Sequence, residues 1–316
     1  MIGTKGRELR IAVVGGANID IGGKPFAALA EGDSNPGRVR VSVGGVGRNI
    51  AHNLRLLGLP VSFLTALGRD IHGDRVAAEC AMAGIDCERV LRCPEEATST
   101  YLFIADESGE MRLAVSDMEI CRRISPDYLR AQREILDSAA AVVADANLPE
   151  ESLRWLAENC RAPLFADPVS AAKAGRVKPV LGRLHTLKPN ALEAEMLSGV
   201  AIRSEGDLPR AAEALLEAGL KRVFISLGSR GIFAAEAGNQ VRLPCCPARA
   251  RNMTGAGDAM MAGLVWSWIR GMDLADSARA AAAAAAIAVE GSGTVNPALS
   301  PEEVARKIRE TEAEKH

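Results

Sequence analysis

Residues 184 to 197 read Leu184-His185-Thr186-Leu187-Lys188-Pro189-Asn190-Ala191-Leu192-Glu193-Ala194-Glu195-Met196-Leu197. The run Leu184–Leu187 is short, apolar and of strand type. Pro189 breaks it, and Asn190 opens a stretch, Ala191–Leu197, with apolar residues at helical spacing. A strand handed directly to a helix is half of a β-α unit, and the same succession recurs in both directions. Strands are expected at Leu9–Val14, Val61–Ala66, Ala141–Ala144, Leu164–Ala166 and Arg222–Leu227. Helices are expected at Arg48–Leu57, Asp74–Met82, Glu151–Cys160, Asp207–Ala218 and Ala256–Ile269. Alternation of this kind predicts an α/β fold, a mostly parallel, doubly wound sheet covered on both faces.

Two stretches depart from that rhythm. Arg38–Val43 and Thr98–Leu113 alternate polar and apolar residues, the second around the turn Asp106-Glu107-Ser108-Gly109. They read as a small β lid or, equally, as edge strands of the main sheet. No repeat or Pro/Ser-rich linker divides the 316 residues, so one domain is expected, with a lid from segments near 20–43 and 98–115. The Ala-rich run Ala278–Val289 is too short to span a bilayer and reads as a closely packed helix.

Composition narrows the function. With 25% charged residues and a formal net charge of -2, the chain has no basic field to hold nucleic acid or an anionic membrane. Its seven cysteines contain no C-x-x-C pair and its four histidines have no metal-ligand spacing, which argues for reduced thiols and against zinc. The polar start Met1–Arg10 lacks a signal-peptide core, so a cytoplasmic protein is expected.

The candidate chemistry lies at turns after strands. Thr254-Gly255-Ala256-Gly257-Asp258-Ala259 leads into a helix, where Gly255, Ala256 and Gly257 can present bare N–H groups to a phosphoryl group and Asp258 can accept a hydroxyl proton. The same residues could instead be a turn with a carboxylate stabilising the helix start. Asn190 and Glu193 lie one turn apart, placed to hold Mg²⁺ or its waters, or else to cap their helix. Ser226-Leu227-Gly228-Ser229-Arg230-Gly231 is a glycine turn that admits a nucleotide, or a plain β-turn. No G-x-x-x-x-G-K-[ST] occurs, so a P-loop is excluded. Asp20, after Gly15-Gly16-Ala17-Asn18-Ile19, and Asn49, after Gly44-Gly45-Val46-Gly47-Arg48, can bind a polyol. Gly45-Val46-Gly47 is also half of a dinucleotide fingerprint, with Ile50 in place of the third glycine and Asp70 as the acidic partner, which keeps a nicotinamide-binding oxidoreductase as a rival.

The ordered set Asn18-x-Asp20, Gly44-Gly45-x-x-x-Asn49, Asn190-x-x-Glu193, Gly228-x-x-Gly231 and Gly255-Ala256-Gly257-Asp258 resembles the ribokinase, or PfkB-type carbohydrate kinase, family over nearly the whole chain. That resemblance implies a three-layer ribokinase-like fold and transfer of a phosphoryl group from ATP with Mg²⁺. It implies Asp258 as general base, Gly255–Gly257 as anion hole, Asp20, Gly44, Gly45 and Asn49 on the sugar, and Asn190, Ser226, Gly228 and Gly231 toward the nucleotide. It also implies a lid that closes over substrate and mediates a homodimer. Within the family the chain looks most like the pseudouridine kinases, through Asp33-Ser34-Asn35-Pro36-Gly37, Gly44–Ala51, Asp145-Ala146-Asn147-Leu148-Pro149 and Asp167-Pro168-Val169-Ser170-Ala171-Ala172-Lys173. Asn147 and Lys173, just past strand ends, could reach the substrate; a helix cap and a solvated charge are the plainer readings. Asn252 replaces the family's monovalent-cation aspartate, which weakens K⁺ dependence. A ligand sensor that kept the fold without activity is the remaining alternative class.

Overall fold

In the computed structural model the described residues are 9–313; the polar stretch before Leu9 and His316 lie outside them. Eight strands form the central sheet, in the order Asn239–Leu243, Ile232–Glu236, Arg222–Ser226, Thr186–Leu187, Leu164–Asp167, Ala141–Asp145, Ile11–Val14 and Val61–Leu64. The six strands from Arg222–Ser226 to Val61–Leu64 are parallel, and the first two are added antiparallel. Strand alternation sends Ile11 and Val13 into one core and Ala12 and Val14 into the other. Helices Val46–Leu56, Ala256–Ile269 and Leu274–Glu290 cover the first core; Glu150–Asn159, Ala191–Ser198 and Leu208–Glu217 cover the second. The result is the expected three-layer α/β/α arrangement.

Helix Ala256–Ile269 is buried on all sides from Asp258 to Ser267. Its neighbour Leu274–Glu290 supplies the small residues that permit this: a Cβ at Gly263 would lie 3.0 Å from the Ala281 Cα. The Ala-rich run is therefore a packing surface inside the core, and no helix among the described residues is long and apolar enough to cross a membrane.

Arg38–Val43 and Thr98–Leu113 are not edges of the main sheet. They contribute to a separate four-stranded sheet ordered Gly37–Gly44, Asn18–Pro25, Thr100–Ala105, Met111–Asp117. The turn between the last two strands is held by Asp106, whose Oδ1 accepts from the N–H groups of Ser108 and Glu110 at 2.9 Å each. Strand Asn18–Pro25 runs straight out of the main-sheet strand Ile11–Val14, so this second sheet stands at the carboxyl edge of the first.

Three departures from the sequence expectation have a direct physical cause. Val61–Ala66 splits after Leu64, because Ala66–Gly68 turns away to pair with Leu91–Cys93. Leu184–Leu187 shortens to Thr186–Leu187, since Lys178–Arg183 forms a 3₁₀ turn up to Leu184. The hairpin Ile232–Leu243 goes unrecognised in the sequence, its Ala234-Ala235 pair having low β propensity that burial overrides.

Candidate active site

The carboxyl ends of the parallel strands converge, as open α/β sheets dictate. Asp145 and Asp167 are the last residues of their strands and pair side by side in the ladder, and Lys188 follows Leu187 on the next strand. Lys188 Nζ forms an ion pair with Asp167 Oδ2 at 3.2 Å, both side chains 6% exposed. Burial alone would push the ammonium's pKa down, but the charges of Asp167 and Glu193 outweigh it and hold it up. The other Asp167 oxygen accepts from the N–H of Val169 at 2.8 Å, fixing a tight turn in which Val169 sits at φ 68°, a strained conformation for a β-branched residue.

Helix Ala256–Ile269 aims its N-terminus at this cluster. Its cap, Gly255, has φ 87° and lies so close to the Thr294 carbonyl that no Cβ fits. No side chain caps the helix, so the N–H groups of Ala256, Gly257 and Asp258 face outward with the dipole's positive end. Lys188 reaches the same turn: a Cβ on Gly257 would lie 3.2 Å from its Nζ. Asp258, also in this turn, is buried, and its Oδ2 accepts from Asn49 Nδ2 at 2.9 Å. Burial and the neighbouring Asp167 push the Asp258 carboxyl up to about 8, against the opposing pull of Asn49 and Lys188.

Asn49 is brought here by helix Val46–Leu56, whose first turn packs on the Gly15–Gly16 loop through Arg48 N–H to Gly16 O at 3.2 Å. Asp20 stands on the second, four-stranded sheet beside Gly44, its Oδ1 accepting from Asn18 Nδ2 at 2.7 Å. Burial raises its carboxyl, with Asn18 and Arg48 opposing. Register places Ser42 and Tyr101 on either side of Asp20, so all three share one face of the sheet, and Phe103, also on that face, lies over Gly22. The Tyr101 and Phe103 rings are 5.9 Å apart.

The remaining expected residues divide. Asn147 and Lys173 meet: Lys173 Nζ donates to Asn147 Oδ1 at 2.6 Å, so Lys173 is tied to Asn147 rather than being a freely solvated charge, and Asn147 caps no helix. Asp145 anchors them, Oδ1 accepting from Asn147 N–H at 2.8 Å and Oδ2 from Gly16 N–H at 2.9 Å; burial pushes it up to about 6. Asn190 and Glu193 form a capping box, with Asn190 Oδ1 accepting from Glu193 N–H and Glu193 Oε2 from Asn190 N–H, both at 2.9 Å. One oxygen of Glu193 remains for other work. Ser226 bridges to Asn190 on the adjacent strand end, and Gly228, at φ 60°, has open space where a side chain would be. Gly231 is different: its φ of 100° and its contact with the Leu243–Pro244 backbone make it a structural turn residue. Asn252 Oδ1 accepts from Thr254 N–H at 3.0 Å, shaping the approach to the helix. Asp70 caps helix Ile71–Met82, accepting from Gly73 N–H at 2.7 Å and Thr98 N–H at 2.8 Å, so it is engaged in structure rather than offered to a ribose.

Asp145, Asp167, Lys188 and Arg48 carry no role in the sequence reading, although all four, the first three of them at strand ends, stand inside quoted motifs. The available signal was position: each of those three ends or follows a β-strand. Among the described residues no group of three or more His, Cys, Asp or Glu side chains is placed to hold a metal ion directly. The hard oxygen donors of Asn190 and Glu193 nevertheless suit a hydrated Mg²⁺ held through its waters.

The family described as pfkB family carbohydrate kinase matches residues 8–301. A pseudouridine kinase from Escherichia coli (strain K12) is 40% identical over 292 residues, covering 92% of this chain and 93% of that protein. An uncharacterized sugar kinase, YeiI, from the same organism is 39% identical over 292 residues, covering 91% of this chain and 80% of that one. The structure of Arabidopsis thaliana ribokinase complexed with ribose and ATP superposes with a TM-score of 0.84 over 95% of this chain and 98% of that one; at 23% identity the likeness is one of fold.

Proposed function

The chain belongs to the pfkB family of carbohydrate kinases, phosphotransferases with an alcohol group as acceptor, and we propose that it transfers the γ-phosphoryl group of ATP to the 5′-hydroxyl of pseudouridine. The products are pseudouridine 5′-phosphate, ADP and a proton. The observation that carries the proposal is the meeting of a buried carboxyl, Asp258, with the uncapped N–H groups of its own helix start and with Lys188.

In this reading Asn49 occupies Asp258 Oδ2 and leaves Oδ1 to take the proton of the attacking hydroxyl. The N–H groups of Ala256, Gly257 and Asp258, together with Lys188, stabilise charge on the phosphoryl oxygens as it moves. Asp20 holds the sugar hydroxyls from the lid side and Asn147, with Lys173, from the strand side. Gly228 and Ser226 line the nucleotide approach. Asn190 and Glu193 would hold hydrated Mg²⁺, which supplies charge neutralisation on the phosphates.

A nucleoside is favoured over a bare sugar by the Tyr101–Phe103 pair, since two rings on the face that carries Asp20 offer a base something to stack on. The 40% identity to a pseudouridine kinase favours this nucleoside. The similar identity to an uncharacterized sugar kinase favours, as second reading, a broader acceptor such as ribose, uridine or adenosine. ADP formation and product mass across pseudouridine, uridine, adenosine, ribose and fructose decide between them; turnover of ribose with none of pseudouridine would reject the first reading.

A homodimer through the lid sheet belongs to the same proposal. On the face opposite Asp20, Val39, Val41, Leu102, Leu113 and Val115 are 70%, 39%, 41%, 64% and 57% exposed, an apolar patch of the kind that proteins cover. Light scattering should give twice the chain mass, and Leu113→Lys with Val115→Lys should give one; a monomeric unaltered protein would exclude the dimer.

A further inference from the structure

We propose that Arg48 is a positioning residue, which locks the Asn49 amide with its nitrogen toward Asp258 and ties that contact to the lid strand. The inference rests on the reading of Asp258 as base, and it concerns a residue to which no motif considered so far gives a role.

The Arg48 side chain is 6% exposed, an unusual place for a guanidinium, and it is met there by three acceptors. Nη1 donates to Asn49 Oδ1 at 3.2 Å and toward the Val43 carbonyl at 3.4 Å; Nη2 pairs with Glu79 Oε2 at 3.3 Å. A guanidinium has donors only. The Asn49 atom facing it must therefore be the oxygen, and the nitrogen is left to donate to Asp258. A half-turn of the amide would set an NH₂ against Arg48 whatever the state of Asp258 and, once that carboxyl is ionised, a carbonyl oxygen against its charge, replacing two attractions with two repulsions.

The other end of Arg48 is held as firmly. Val43 belongs to the lid strand Gly37–Gly44. Glu79 lies on helix Ile71–Met82, where Arg75 donates its Nε to Glu79 Oε1 at 3.2 Å and its Nη2 to the Val41 carbonyl of the same lid strand at 3.0 Å. A continuous set of polar contacts thus runs from the lid strand through Arg48 and Asn49 to the base.

The groups facing Asp258 are Asp167, Lys188 and Asp145 from the strand ends and Asn49 from its helix; those facing Arg48 are Glu79, Asp20, His52 and Cys80. His52 is pushed down to about 4 by burial and by Arg48, so it stays neutral wherever Asp258 titrates. Losing the Asn49 donor removes a hydrogen bond to the charged form of Asp258, and the carboxyl must then titrate at higher pH.

The test follows the Asp258 carboxyl directly, by ¹³Cγ-aspartate NMR titration, alongside the pH profile of kcat/KM. In Arg48→Met and Arg48→Leu, with folding checked by circular dichroism, the Asp258 midpoint should rise by about one pH unit and the acid limb of the profile should move with it. Arg48→Lys should restore part of the shift, because an ammonium can still donate to Asn49 Oδ1. In an Asn49→Leu background, Arg48→Met should add nothing. An unmoved midpoint in the folded variants overturns the proposal, and so does an equal shift in both backgrounds, which would mark a plain charge effect. A shifted midpoint in a protein without ATP-dependent turnover would remove the kinase reading and leave the Arg48 contact standing.

Discussion

Replacing Asp258 with Asn should make the protein both inert and more stable. The Asp258 carboxyl sits at an ordinary value near 3.8 in the unfolded chain and up to about 8 in the folded one. Between those values the folded protein holds a proton that the unfolded chain has released, so stability is lost as pH rises from about 4 through 8. At pH 7 the interval from 3.8 is roughly three pH units, and at about 1.36 kcal/mol per unit the carboxyl destabilises the fold by on the order of 4 kcal/mol relative to acid pH. The amide introduced by Asp258→Asn would keep the bond from Asn49 through its own oxygen and carry no charge. Urea unfolding at pH 5, 7 and 9 should therefore show a gap between Asp258→Asn and the unaltered protein that widens with pH and levels off above about 8. Turnover should fall by about 10²–10⁴, the contribution of a general base, with nucleoside binding by calorimetry preserved. Parallel stability curves would refute the desolvated carboxyl, and near-normal turnover would refute its role.

Lys188→Met breaks an ion pair with both members buried and should cost about 3–5 kcal/mol in urea unfolding, largely recovered in Lys188→Met with Asp167→Asn; an isolated Lys188→Met of normal stability would show that water reaches the pair. Phe103→Ala should raise KM for pseudouridine about tenfold, one base-stacking contact's worth, and leave the KM for ribose, if ribose turns over, unchanged. Glu193→Gln keeps the capping bond through its amide oxygen but removes the charge, so the Mg²⁺ concentration for half-maximal rate should rise while Tm stays put; an unchanged Mg²⁺ titration with lowered Tm would assign Glu193 to the cap alone.

What could be read from the sequence followed the length scale of the interaction. Strands such as Ala141–Asp145, buried at every residue, announce themselves as apolar runs, and helix Ala256–Ile269 begins and ends where its sequence indicates. The hairpin Ile232–Leu243 does not, because its alanines acquire strand conformation only from the neighbour they pair with. The site divides in the same way. Asp258 and its glycines are local, within one turn, and were legible. The Asn49–Asp258 bond spans 209 residues of chain, and the carboxyls of Asp145 and Asp167 meet only because parallel strands align their ends, so neither contact has a sequence signature. Asn190 and Glu193 carried two readings in the sequence, and the structure adds the capping geometry without removing the free Glu193 oxygen.

Three carboxyls, Asp167, Glu193 and Asp258, around one buried lysine would make a poor place to bring a triphosphate if all were charged. The perturbed titrations resolve the difficulty. At neutral pH a carboxyl raised to about 8 is mostly protonated, so the resting cluster carries less negative charge than its composition implies, and Lys188 stays cationic because its acidic neighbours hold it so. In the proposed function the phosphates would then meet an ammonium and bare N–H groups, with the repelling charge on Asp258 largely masked by a proton. With Asp258 as the proposed base, turnover would draw on the ionised minority, and kcat/KM should climb about tenfold per pH unit below 8 before flattening. The same burial that weakens Asp258 as an acid strengthens it as a base, so under the proposed mechanism one environment would serve both anion binding and proton removal.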